Sequence, residues 1–99
     1  MKKISLGQKD VIHFVGIGGI GMSGLAQIMK NMGFRIKGSD QNKNKNTVNC
    51  SRLGIKVFIG HSSTNIKGTT IVVKSTAIKN NNTELKFAKK NKIPIYSRA

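Results

Sequence analysis

The residues best suited to chemistry stand in one run, Gly16-Ile17-Gly18-Gly19-Ile20-Gly21-Met22-Ser23-Gly24, which holds a GxGxxG pattern at Gly16, Gly18 and Gly21. Lacking side chains, such a loop brings backbone N–H groups against a phosphate, and a helix opening there adds partial positive charge. Its natural guest is a diphosphate. Asp40 stands nineteen residues after Gly21, the position at which a nucleotide-binding fold places an acid for ribose hydroxyls. Capping the following turn is the other use of that acid. NAD or any nucleotide diphosphate satisfies these residues equally. A tight turn with close helix packing is the purely structural reading of the loop, and Gly19 and Gly24 exceed what the fingerprint asks for.

The other polar candidates are fewer. His61 follows Gly60, with Ser62, Ser63 and Asn65 close behind, and its place after a third expected strand would put it where open parallel sheets bind ligands; a surface loop histidine is the alternative. Ser75, Thr76 and Ala77 follow a fourth strand and would face the same crevice, or simply turn the chain. His13 lies inside the first strand and reads as a packed core histidine. Cys50 reads as a small hydrophobe. Two histidines and three carboxylates (Asp10, Asp40, Glu84) are too scattered in sequence to assemble a nucleophile, base and orienter. No GxxxxGK[ST] loop for ATP is present. The expectation is a binding module.

The elements that must position these residues follow from periodicity. Val11 to Val15 is a short apolar run, as in a strand buried on both faces. Met22, Leu25, Ala26, Met29 and Met32 then mark one face of a helix closed by Gly33, with the methionines as core stripe. Strands are expected at Phe34 to Gly38, Ile55 to Ile59, Thr69 to Lys74 and Ile93 to Tyr96, with helices at Thr47 to Leu53 and Asn81 to Lys90. Asn81 and Glu84 stand at capping-box spacing. Alternating strands and helices predict an α/β, Rossmann-like three-layer domain with a mostly parallel five-stranded sheet. That domain would run over 11–99, after an amino-terminal extension at 1–10.

Ninety-nine residues leave room for one core. Eighteen Lys plus Arg against three acids give a net charge of +15, which by itself suggests an anionic partner. The lysines, however, are spread along the chain and interleaved with Asn, and aromatic residues are only 5%, so no stripe or stacking platform for nucleic acid is expected. A single cysteine forbids an internal disulfide and fits a reducing compartment. No run reaches membrane-span length, and the first ten residues lack the apolar core of an export signal. Ser97-Arg98-Ala99 follows a strand where the next helix should begin, so the chain reads as the front part of a longer protein.

Taken together, Ile12-His13-Phe14-Val15-Gly16 through Gly24-Leu25-Ala26, Gly38-Ser39-Asp40, Gly60-His61-Ser62, Ser75-Thr76-Ala77-Ile78 and Ile93-Pro94 resemble the amino-terminal domain of the Mur ligase family, and within it the members that add L-alanine. The resemblance implies a cytoplasmic, ATP- and Mg2+-dependent, amide-forming ligase of peptidoglycan synthesis whose first domain holds UDP-N-acetylmuramate. By position, Gly18, Gly19, Gly21, Met22 and Ser23 would line the diphosphate, and Ser39 and Asp40 would lie near ribose or uracil. His61 and the segment containing Ser75 and Ala77 would border the nucleotide or its sugar. The central ATP-binding domain and the carboxyl-terminal domain of the family are absent from this sequence, so no cofactor, membrane or nucleic-acid contact is expected of the piece itself. Ile20 stands where the family often has Ala, and Lys74 where it usually has an apolar residue. The rival from another class is an NAD-binding domain of a dehydrogenase or a sensor.

Overall fold

In a computed structural model, which describes Gly7 and residues 9–98, the apolar run Val11–Val15 forms the central strand β1. Most of the expected amino-terminal extension, and Ala99, lie outside the described residues. The chain continues through α1 (Ile20–Asn31), β2 (Arg35–Asp40), α2 (Lys45–Arg52), β3 (Lys56–Ile59), β4 (Ile71–Ser75), α3 (Thr83–Lys90) and β5 (Ile95–Arg98). All four strand pairings are parallel, in the order β3-β2-β1-β4-β5. The expected α/β class and five strands are therefore present, with a sheet that is wholly parallel. A 3-10 turn at Ser63–Ile66, which hydrophobic periodicity does not signal, fills the connection from β3 to β4.

Alternation along β1 separates two cores. Ile12 and Phe14 pack with Ile17, Met22, Ala26, Ile36, Cys50 and Ile55 beneath α1 and α2. Val15 turns the other way, to Ile66, Val72, Leu85 and Ala88 beneath α3 and the 3-10 turn. A sheet clothed on both faces is what near-continuous apolar strands require. The helix stripe holds for Met22 and Ala26, with half-buried Leu25 and Met29 packed against the same core, whereas Met32 is 67% exposed. Met32 is the C-cap of α1, where the chain turns to Gly33 and β2 and carries the side chain off the core face.

Strand β2 runs two residues past its expected end, because Ser39 and Asp40 pair with Phe58 and Ile59. That extension places both residues on the carboxyl edge of the sheet. Gly38 permits it: a Cβ there would come within 2.5 Å of Ile17 Cδ1 and 2.9 Å of the Phe14 carbonyl oxygen. Among the described residues no helix is long and apolar enough to cross a membrane.

Candidate functional site

The strand order reverses between β1 and β4, and ligands of open parallel sheets bind outside the carboxyl ends of strands at such a reversal. The loop after β1 lies there. Gly16 has φ +89°, a backbone conformation only glycine adopts without strain, and a Cβ on it would sit 3.2 Å from the Ile78 side chain and 3.3 Å from Ser75 Cβ. The glycine loop and the loop after β4 are thus in direct contact. Lys74, half-buried, donates from Nζ to the Ile78 carbonyl at 3.1 Å, bracing that second loop.

Helix α1 opens with Gly19 as N-cap, which supplies no side-chain cap, and has no acidic residue in its first turn. The first helical bond is that of Ser23 N–H to the Gly19 carbonyl at 2.8 Å. Helix geometry therefore leaves the N–H groups of Ile20, Gly21 and Met22 without an intrahelical acceptor. A Cβ on Gly21 or Gly24 would meet nothing within 4 Å, so the space over the helix start is open. This is an uncapped, acid-free helix N-terminus at a sheet reversal, the arrangement that receives phosphate.

Several expected contacts are redistributed. The Gly18 N–H donates to Asp40 Oδ2 at 2.8 Å, and its carbonyl accepts from Asn44 and Asn46 at 3.2 and 2.9 Å. Gly18 therefore fastens the loop and offers no free group to a diphosphate. Asp40, in turn, spends Oδ2 on the loop and leaves Oδ1 only a long 3.4 Å contact with the Asn42 N–H; neither the ribose role nor the turn-cap role describes its main bond. Ser23 is buried, with its hydroxyl donating to the Ile20 carbonyl at 3.2 Å. Gly19, Gly21 and Met22 remain as the loop's contribution. Ser75 Oγ accepts from the Ala77 N–H at 3.2 Å, a local turn that presents exposed Ala77 at the rim.

Ser39 is wholly buried, so its hydroxyl is used inside the protein and does not line an open crevice. Its hydroxyl donates to Glu84 Oε1 at 2.7 Å and lies 3.0 Å from His61 Nδ1. Glu84 itself departs most from expectation. Helix α3 starts at Thr83 with Asn82 as cap, accepting from the Glu84 N–H at 2.8 Å, so Glu84 does not reach back as a capping box. Its fully buried carboxylate instead takes hydrogen bonds from His13 Nε2 (2.6 Å), Asn65 Nδ2 (2.8 Å) and the Ser62 N–H (3.1 Å), with His61 Nδ1 at 3.3 Å. Burial alone would raise this carboxyl; the bonds from His13, Asn65 and Ser39 outweigh it and hold the group down to about 2. Burial lowers His13 below the ordinary histidine range against the pull of Glu84, so His13 is a neutral donor through Nε2.

The two histidines and one of the three acids, distant in sequence, are thus one cluster. It is no nucleophilic triad, because among the described residues the only hydroxyl in hydrogen-bonding distance of either histidine is the buried Ser39. Lys37 closes the cluster from below, donating to the carbonyls of Asn65 at 2.6 Å and Lys67 at 3.0 Å, and burial lowers its pKa. Glu84 was discoverable only as an acid at a helix start; nothing in its spacing points inward. Cys50 is buried, and burial pushes its thiol up, against a weaker opposing effect of Gln27. It is a core residue.

Over residues 11–99 the chain matches the model of the Mur ligase family, catalytic domain. This chain belongs to the Mur ligase family. It is 57% identical over 96 residues to the UDP-N-acetylmuramate--L-alanine ligase of Pelagibacter ubique, a match covering 97% of this chain and 21% of that protein. It is 50% identical over 90 residues to the enzyme of the same name from Rickettsia bellii, covering 91% of this chain and 19% of the other. Among solved structures, the UDP-N-acetylmuramate-alanine ligase of Thermotoga maritima superposes with TM-score 0.86 at 38% identity, over 89% of this chain and 20% of that one. A UDP-N-acetylmuramate:L-alanyl-gamma-D-glutamyl-meso-diaminopimelate ligase from Neisseria meningitides gives 0.81 at 27% identity, over 89% of this chain and 28% of that one. The chain spans about a fifth of the length of the curated relatives it matches.

Proposed function

We propose that this Mur ligase chain is the UDP-sugar-holding part of a UDP-N-acetylmuramate:L-alanine ligase, at work in peptidoglycan synthesis in the cytoplasm. The observation that carries the reading is the uncapped start of α1 beside the reversal between β1 and β4, where the N–H groups of Ile20, Gly21 and Met22 have no intrahelical acceptor and the flank at Gly21 is open. A diphosphate laid there gains several backbone hydrogen bonds and the positive end of the helix. Gly19 and Gly21 keep the approach clear, His61 borders the nucleoside or its sugar, and Ser75 and Ala77 form the opposite rim. The names of the relatives supply the choice of nucleotide sugar and of L-alanine.

The part of the reaction assigned to this chain is binding and orientation. ATP and Mg2+, which the family implies, find no matching residues here: the sequence has no GxxxxGK[ST], and among the described residues no group of three His, Cys, Asp or Glu is placed to hold a metal ion. By the family resemblance, activation of the muramyl carboxylate falls to the central and carboxyl-terminal domains of the whole ligase. An NAD-binding role is the rival: Asp40 Oδ2 is bonded to Gly18, but Oδ1, with only its long contact to Asn42, remains for a ribose hydroxyl, and it is the names of the relatives that favour the UDP-sugar.

An NMR amide titration tests the proposal. Saturable shifts at Gly19 through Met22 with UDP-N-acetylmuramate, and none with NAD, are the expected result. The reverse preference would assign the chain to dinucleotide binding, and binding that collapses with salt and ignores the sugar would assign it to nucleic acid.

A further inference from the structure

The donors and acceptors around Glu84 fix where the His61 ring carries its proton. An ionised carboxylate only accepts hydrogen bonds, so the Ser39 hydroxyl, 2.7 Å from Glu84 Oε1, must donate its single hydrogen there. The Ser39 oxygen is then an acceptor toward His61 Nδ1 at 3.0 Å, and Glu84 Oε2 is a second acceptor at 3.3 Å. Both neighbours of Nδ1 demand a donor. The Asn65 side chain agrees with this assignment, since its Nδ2 donates at once to Glu84 and to the Gly60 carbonyl at 3.0 Å. His61 is 15% exposed through its side chain. Among the described residues its Nε2 has no hydrogen-bond partner, and the atom is not fully buried, so this edge of the ring reaches solvent.

We propose that Ser39 and Glu84 are positioning residues that fix a proton on His61 Nδ1 and so select the tautomer whose Nε2 is bare, a hydrogen-bond acceptor toward the crevice. The ligand group it takes is a donor, a hydroxyl or ring N–H of the nucleotide sugar; a phosphate oxygen is repelled by the lone pair. This rests on the UDP-sugar reading and refines it. Phosphate recognition falls to the start of α1, and Nε2 reads the nucleoside or sugar. The five-fold anchoring of Glu84 to His13, Ser39, His61, Ser62 and Asn65 gives the ring one orientation, so that little entropy is lost when the ligand bonds to it.

Long-range proton–nitrogen NMR of the histidine rings, on the ligand-free chain, reads the tautomer directly. The expected spectrum has His61 protonated at Nδ1 and bare at Nε2; protonation at Nε2 overturns the proposal whatever the chain binds. In Glu84→Gln the carboxamide can donate to Nδ1, so the Nε2–H form should gain population. His61→Asn keeps a donor toward Ser39 and Glu84 where Nδ1 stood, lacks Nε2, and leaves the buried carboxylate itself in place. This variant should retain the fold, judged by its amide spectrum, and lose about tenfold in affinity for UDP-N-acetylmuramate, the worth of one hydrogen bond. Undiminished binding by folded His61→Asn overturns the proposal. If the wild-type chain shows no response to UDP-N-acetylmuramate at the α1 amides, the functional reading fails, and the tautomer result still stands or falls by its own spectrum.

Discussion

Gly18 and Gly21, three residues apart in one motif, act in opposite ways. A Cβ on Gly18 would lie 2.7 Å from Asp40 Oδ2 and 2.8 Å from Asn44 Nδ2, which breaks the bond that closes the loop. Gly18→Ala should cost about 1–3 kcal/mol, as overpacking does, read from the midpoint of urea unfolding, and UDP-sugar affinity should fall with it. Gly21 is helical and meets nothing. Gly21→Ala should leave stability unchanged or raise it by roughly 0.5–1 kcal/mol, from helix propensity, yet weaken UDP-sugar binding by filling the space over the free amides. Unchanged affinity in Gly21→Ala would count against a diphosphate at this helix start.

At the scale of elements, the connections carry more of the site than the helices do. Asn44 caps α2 through a reciprocal bond with Thr47 at 2.9 and 2.8 Å, and its Nδ2 also reaches the Gly18 carbonyl. One side chain therefore starts a helix and pins the glycine loop. Asn44→Ala should lose about 1–2 kcal/mol, at the upper end for a cap, and thermal unfolding compared with Asn82→Ala, a cap without a second duty, checks it. Equal losses in the two variants would show that the bridge to Gly18 contributes nothing. The 3-10 turn has a comparable double role: Asn65 donates to Gly60 and Glu84, and its carbonyl takes Lys37.

For the whole molecule, Glu84 ties α3 to β1, β2 and the segment after β3, so its ionisation is coupled to folding. Its pKa is held down to about 2 in the folded chain, below its value in the unfolded one, so the stabilisation is complete above about pH 4.5 and is lost as pH falls toward 2. That is on the order of 3 kcal/mol. His13 acts in the same direction: its lowered pKa means that the unfolded chain takes up a proton below about pH 6.5 while the folded chain resists it. Unfolding free energies measured at pH 7, 5 and 3 should therefore fall stepwise, and Glu84→Gln should flatten the lower step. A net charge of +15, with no lysine or arginine ion-paired to a carboxylate among the described residues, adds self-repulsion. Moderate salt should raise the melting temperature by screening it; a fall would argue that bound anions or local pairs dominate instead.

The alternation of strands and helices and the glycine loop at a strand end were legible in the residues, because periodicity and glycine report on the local backbone. The parallel sheet followed from them, since short strands separated by helices admit few other pairings. So was the Mur ligase resemblance, carried by motifs spread along the chain. What tertiary structure decided is which polar groups remain free. Gly18, Ser23, Ser39 and Asp40 look alike in sequence as candidate ligand contacts, and packing commits the first three and one carboxylate oxygen of Asp40 to one another's neighbourhoods or to the core, while the first amides of α1 keep no intrahelical acceptor and His61 keeps an outer edge. Glu84 has the spacing of a capping box, yet it enters the interior because β1 and β2 bring His13 and Ser39 to one face, and five hydrogen-bond donors there outweigh the cost of burying its charge. Sequence determines which groups exist and in what order; their partners depend on residues tens of positions away, and only the folded chain brings those together.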